Sequence, residues 1–136
     1  LKINDIHKEI IGNLNTEDKI INFKKRNFII KNFANNCARF NFDELCGVET
    51  SPEDYLHLAK YIDMVFLENV PDFSNSNSNQ QERFINLIDV LYDNKINLIM
   101  SSEKKIDDLN SAYYLKDKFV RTKSRLIEMK SKNYRS

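Results

Sequence analysis

Three segments decide the fold: Met64-Val65-Phe66-Leu67-Glu68-Asn69-Val70-Pro71, then Arg83-Phe84-Ile85-Asn86-Leu87-Ile88-Asp89-Val90-Leu91-Tyr92, then Ile96-Asn97-Leu98-Ile99-Met100. The first is continuously apolar from Met64 to Leu67, as in a strand covered on both faces. In the second, Phe84, Leu87, Ile88, Leu91 and Tyr92 recur at helical spacing and give the clearest apolar stripe in the chain. The third is another buried strand. Strand, helix, strand in this order predicts a parallel βαβ unit with a right-handed crossover, and so an α/β fold.

Working outward, Asp72 to Gln81 is polar and rich in Ser and Asn, and reads as a flexible loop. Asn79 with Glu82 makes a capping-box-like helix start. Upstream, Ser51-Pro52-Glu53-Asp54 opens a helix: Ser51 can cap, Pro52 suits the first helical position, and the acids favour the positive end of the dipole. Its apolar face is Tyr55, Leu58, Ala59 and Ile62. Cys37 to Phe42 alternates and reads as a strand. Ile20 to Phe23 and Asn27 to Ile30 flank Lys24-Lys25-Arg26 as a β-hairpin, and residues 3–14 carry a short helical pattern. Downstream, Ser102 is read as the cap of a short helix through Leu109, and Thr122 to Asn133 as the last helix. Residues 1–136 are thus expected to form a single α/β domain.

Composition bounds the function. Of 136 residues, 41% are hydrophobic and 30% charged, an ordinary globular balance. The net charge of +1 gives no global field toward nucleic acid, although Lys116 to Arg135 is mostly basic. Cys37 and Cys46 are the only cysteines, form no CxxC pair, and read as small core residues in a reducing compartment. His7 and His57 lack metal-ligand spacing. No apolar run approaches the roughly 20 residues of a membrane span. The chain begins at Leu1 rather than Met, so a piece of something longer, or an unusual start codon, is expected.

Chemistry-bearing residues are few. Met64 to Glu68 looks like a Walker-B strand, yet any buried strand leading into a polar loop looks the same. Gly-x-x-x-x-Gly-Lys-Ser/Thr is absent from the sequence, since Gly12 and Gly47 are its only glycines and neither begins such a loop. There is also no Gly-x-Ser-x-Gly nucleophile turn. Asp43, Glu44, Asp89 and Asp93 have no second acid or His to complete a site and read as capping or surface residues. Arg121 and Arg125, four apart, fall on one helix face and could bind a phosphate charge. The competing reading pairs Arg125 with Glu128 along the same helix. Arg83 sits in the first turn of the striped helix, where a cation opposes the dipole and an acidic partner or ligand is expected.

Five segments, in order, resemble one family. Phe40-Asn41-Phe42-Asp43-Glu44-Leu45-Cys46 looks like the F-x-F-x-E-L-C segment of the ZapE-type cell-division ATPases, whose relatives are the ATPase-family-gene-one and lactation-elevated proteins. Asp54-Tyr55-Leu56 with Leu58-Ala59 resembles the next helix, and Val65 to Pro71 an apolar strand ending D-V-P. Arg83 to Asp89 with Leu91-Tyr92 resembles R-F-I-x-L-I-D-x-L-Y. Arg121-Thr122, Ser124-Arg125-Leu126, Glu128-Met129, Ser131 and Tyr134 resemble R-T-x-S-R-L-x-E-M-x-S-x-x-Y. Asn69 stands where the family usually has Asp, and Glu82 where a second Arg usually precedes the Arg-Phe.

The resemblance implies the C-terminal part of an AAA+ P-loop ATPase, with Walker A, Walker B and the first sensor in a preceding core. It implies ATP and Mg²⁺ in the intact protein and none for this chain alone. Arg83, Arg121 and Arg125 become candidates for phosphate sensing or inter-subunit contact. The implied partners are the N-terminal ATPase core, further copies in a homo-oligomer, and a protein of division or quality-control machinery. The implied location is cytoplasmic in bacteria and mitochondrial in eukaryotes, with peripheral membrane association. The rival expectation is a non-catalytic interaction domain left by a split gene.

Overall fold

A computed structural model describes residues 2–11, 17–22, 27–33 and 36–133, with side chains over 3–8 and 36–130. In chain order the elements are α1 (Lys2–Ile11), β1 (Glu17–Asn22), β2 (Asn27–Phe33), β3 (Cys37–Asn41), α2 (Phe42–Cys46), α3 (Pro52–Leu58), β4 (Met64–Val70), α4 (Ser78–Asp93), β5 (Asn97–Ser102) and α5 (Lys116–Asn133). Short 3₁₀ turns lie at Asn75–Asn77, Ile106–Asp108 and Tyr113–Leu115.

β3, β4 and β5 form a parallel sheet with β4 in the middle. Phe40 sits opposite Leu67, and Val65 opposite Leu98. Side chains alternate across such a sheet. Ala38, Phe40, Val65, Leu67 and Leu98 therefore enter the main core with α2, α3, α4 and α5, while Cys37, Phe66 and Ile99 meet Ile3 of α1 on the other face. Cover on both faces is the physical reason that Met64 to Leu67 is continuously apolar. β1 and β2 pair antiparallel, with Ile20 opposite Ile29. The charged turn expected at Lys24 to Arg26 lies outside the described residues.

Local signals fix the helix ends. Asn41 caps α2, its own N–H donating to Glu44 Oε1 at 2.8 Å. The strand expected through Phe42 therefore stops one residue early, and Phe42 begins a helix. Ser51 and Asp54 close a reciprocal capping box at the start of α3, as the sequence predicts. α4 ends with Lys95 in the left-handed region at φ 56°, Ile96 N–H donating to Leu91 O and Lys95 N–H to Tyr92 O. These two bonds are the Schellman arrangement, and they turn the chain directly into β5.

Four further expectations are corrected. The loop expected over Asp72 to Gln81 contains the 3₁₀ turn at Asn75–Asn77 and the first residues of α4, which begins at Ser78. The capping box lies at Ser74 and Asn77 rather than at Asn79 and Glu82. Ser102 caps no helix: it is the last residue of β5, and its hydroxyl donates to Lys104 O at 2.5 Å. The last helix begins at Lys116, six residues before Thr122, because Leu115 and Phe119 extend its buried face.

The polar segment is tied down by side chains. Asp72 Oδ1 accepts from Asn110 N–H at 2.6 Å and Oδ2 from the Asn110 amide at 2.8 Å, with Lys104 Nζ at 3.1 Å. Asn75 Oδ1 accepts from Tyr113 N–H at 2.8 Å. Gln81, fully buried, accepts from Ala112 N–H at 2.8 Å and donates to Ser111 Oγ at 2.7 Å. These bonds clasp the connection between β5 and α5. Beneath them Phe73, Phe84 and Phe119 meet ring to ring, the Phe73–Phe119 pair at 5.5 Å and 90°. Edge-on geometry of this kind adds about 0.5–1.5 kcal/mol per pair beyond burial.

Candidate functional site

α4 and α5 pack side by side, and their polar edges meet at Asp89. Arg125 Nη1 donates to Asp89 Oδ1 at 2.5 Å, and Arg121 lies 3.7 Å from the same oxygen. The Arg125 guanidinium also stacks over the Tyr92 ring, 4.7 Å from its centroid. Tyr92 OH donates to Glu128 Oε2. By accepting that hydrogen bond, the Glu128 carboxylate pushes the phenol up from its ordinary value. Two i, i+3 pairs, Asp89 with Tyr92 and Arg125 with Glu128, are thus laid across each other.

The two guanidinium groups differ in freedom. The Arg125 side chain is 21% exposed and fixed on two sides, whereas that of Arg121 is 66% exposed and touches Asp89 only at its tip. The pair offers an anchored cation beside an outward one. Guanidinium presents five donors in a rigid fork, so donors remain for an incoming oxyanion.

Arg83 is elsewhere. Its Nη1 donates to Cys46 O at 3.1 Å, an otherwise orphan carbonyl at the C-terminal end of α2. That bond accounts for a cation near the start of α4. Position 83 precedes Asp89 by six residues, about 9 Å along the helix and roughly 120° around it. Arg121 and Arg125 are brought together, and Arg83 does not join them. The expected Arg125–Glu128 pair is corrected: Arg125 pairs across to α4, and Glu128 holds Tyr92 instead.

The Walker-B-like strand end is also occupied. Glu68 pairs with Arg39, which in turn donates to Asn4 of α1. Asn69 takes φ 62° at an irregularity in β4, and its N–H donates to Ser101 Oγ at 3.0 Å. Asn and Asp are the side chains that tolerate this conformation best, so either residue suits the backbone there. Among the described residues no group of His, Cys, Asp and Glu is placed to hold a metal ion. Cys37 and Cys46 are buried and free, and burial pushes both thiols up to about 12.

The profile of the AFG1-like ATPases matches residues 2–136. The chain belongs to the AFG1-like ATPase family. It is 32% identical over 100 residues to the cell division protein ZapE of Escherichia coli K12, covering 74% of this chain and 27% of that protein. It is 29% identical over 109 residues to lactation elevated protein 1 homolog B of Danio rerio, covering 79% and 22%. An uncharacterized Schizosaccharomyces pombe protein is 36% identical over 84 residues, covering 62% and 18%. The chain therefore spans about a fifth to a quarter of the length of these relatives. No solved structure matches it significantly.

Within this family member, Asp89 and Tyr92 are the residues that sequence reasoning misses at the arginine cluster, and Glu128 is the one to which it gives the wrong partner. The sequence alone reads Asp89 as a capping or surface acid and Tyr92 as part of the apolar stripe. A signal was present: an acid and an aromatic at i, i+3 on one striped helix, and a cation and an acid at i, i+3 on the other. Among the described residues no helix is long and apolar enough to cross a membrane.

Proposed function

We propose that this chain is the C-terminal part of a ZapE-type AAA+ ATPase, acting with a preceding ATP-binding core. The observation that carries the reading is the Asp89–Arg121–Arg125 cluster, which lies within the family match, its two arginines on the segment resembling R-T-x-S-R-L. In the intact protein Arg121 meets a nucleotide phosphate or a neighbouring subunit. Arg125 and Asp89 hold the helix that presents it. Mg²⁺ has no ligand set among the described residues, so the metal and the phosphate cradle are assigned to the preceding core. The process served is cell division or mitochondrial protein handling, through a protein partner and a homo-oligomer, in the bacterial cytoplasm or the mitochondrion.

Three purified proteins test this: the 136-residue chain, the ATPase with its preceding core, and that ATPase carrying Arg121→Ala. The chain alone releases no phosphate from ATP with Mg²⁺. Arg121→Ala lowers turnover by on the order of 10³, the low end for an arginine finger, without lowering the unfolding midpoint. Normal turnover in Arg121→Ala removes the sensing role. Absence of a core bearing Gly-x-x-x-x-Gly-Lys-Ser/Thr upstream leaves the alternative, a non-catalytic interaction domain.

A further inference from the structure

α5 buries one face, Phe119, Thr122, Leu126 and Met129, against the main core. The outward side of α5 and of the 3₁₀ turn before it is not uniformly polar. Tyr113, Val120 and Ile127 are exposed by 78%, 67% and 46%, and they lie seven residues apart. Lys116, Lys123 and Lys130 interleave with them, also seven apart. Within α5 seven residues fall about 20° short of two helical turns, so Val120 and Ile127, and likewise Lys116, Lys123 and Lys130, run in slowly drifting rows, with Tyr113 of the preceding 3₁₀ turn at their head. Apolar residues seven apart fill one of the two seam positions of a heptad, and the lysines three residues on fill the other.

We infer that this stripe is a docking seam for an acidic amphipathic helix of a protein partner. Charge chooses the partner's sign. Among the described residues, no carboxylate pairs with Lys116, Lys123 or Lys130. Lys116 rests over the Tyr113 ring, and Lys123 over the Phe119 ring with its Nζ donating to the Asp107 carbonyl. An open cleft of about 710 Å³ runs beside the seam, lined in part by Asp72, Asn75, Tyr113, Val120 and Lys123. Of the two acids on that wall, Asp72 and Asp117, the first is already held by Asn110 and Lys104. Asp117 is the acid left at the seam's upper end.

Width chooses a helix over a lipid surface. A face that lies in a membrane needs a broad, continuous apolar band. Here the apolar residues are single and separated by lysines, a spacing that suits knobs from one partner helix with acids on its flanks. This recognition reads side chains laid in a groove by an amphipathic helix. It stands apart from the ATPase reading, because no nucleotide enters the measurement.

The probe is a three-heptad synthetic helix with Leu along its apolar seam and Glu on both flanks. A control peptide carries Lys in place of Glu. The expected result is binding of the acidic peptide at least about tenfold tighter than the basic one, weakening at high salt. In the ¹⁵N-labelled chain the shifts fall on Tyr113, Val120 and Ile127. Val120→Asp, an exposed change, removes binding while leaving the unfolding midpoint in place. Lys116→Glu with Lys123→Glu and Lys130→Glu inverts the preference toward the basic peptide. Equal binding of both peptides, no binding of either, an unaffected Val120→Asp, or binding to phosphatidylserine vesicles in place of the acidic peptide overturns the proposal.

Discussion

Replacing Arg125 by Ala removes three things at once from the α4–α5 contact. The first is a charge-assisted hydrogen bond to Asp89 at 2.5 Å, of a type that contributes about 1.5–3 kcal/mol. The second is the stacking on Tyr92 at 4.7 Å, about 0.5–1 kcal/mol where a cation is partly exposed. The third is cover over the aliphatic edge of α4. Two effects offset the loss. Asp89 is 32% exposed and regains water, and Arg121 at 3.7 Å can close on it. The expected net cost is about 1.5–2.5 kcal/mol, above the 0–1 kcal/mol of an exposed pair and below that of a buried one. Urea denaturation of Arg125→Ala, Asp89→Ala and the double variant measures it. The double variant should cost less than the sum, with a coupling of about 1 kcal/mol. Arg125→Lys should recover only part, since an ammonium neither forks nor stacks as a guanidinium does. An Arg125→Ala cost under about 0.5 kcal/mol, or a coupling near zero, would refute the bridging role and return Arg125 to the solvated surface.

Three other outcomes are expected. Leu87→Ala, at a fully buried site in the middle of the α4 stripe, costs about 2–5 kcal/mol by denaturation; a value near zero would mean that the stripe does not face the core. Gln81→Ala leaves Ala112 N–H without its acceptor and costs about 1–3 kcal/mol, with faster amide exchange at Ala112; unchanged exchange would show that the clasp is not held through Gln81. Partial burial pushes the Asp72 carboxyl up, but bonds from Asn110 and Lys104 outweigh it and hold it down at about 2. A lowered folded value means stability present above pH 3.8 and lost as pH falls toward about 2, so Asn110→Ala should flatten that part of the acid transition, and an identical acid limb would contradict the linkage.

The parallel βαβ unit was legible because its signals are periodic. Buried strands must be apolar on both faces, and α4 must be apolar along one stripe. Phe84, Leu87, Ile88 and Leu91 carry that information without help from tertiary structure. The Ser/Asn-rich segment was not legible, because composition reports the lack of apolar anchors and not the presence of polar ones. Asp72, Asn75 and Gln81 find their partners more than thirty residues downstream, at Asn110, Tyr113 and Ala112. The arginine site was half legible. Spacing placed Arg121 and Arg125 on one face, but the choice between Glu128 and Asp89 depends on how two helices lie together. The local partner of Arg83 was not legible for the same reason: the carbonyl that it caps belongs to α2, thirty-seven residues away.

The two thiols sit on opposite sides of the same sheet. Cys37 is sealed beneath α1, and Cys46 lies in the main core. Both are too protonated to react while covered, so each becomes labelled only when its own side opens. One molecule thus carries two clocks, without any engineered probe. Trapping the thiols and locating the modified cysteine by mass would time the lifting of α1 separately from the loss of the main core.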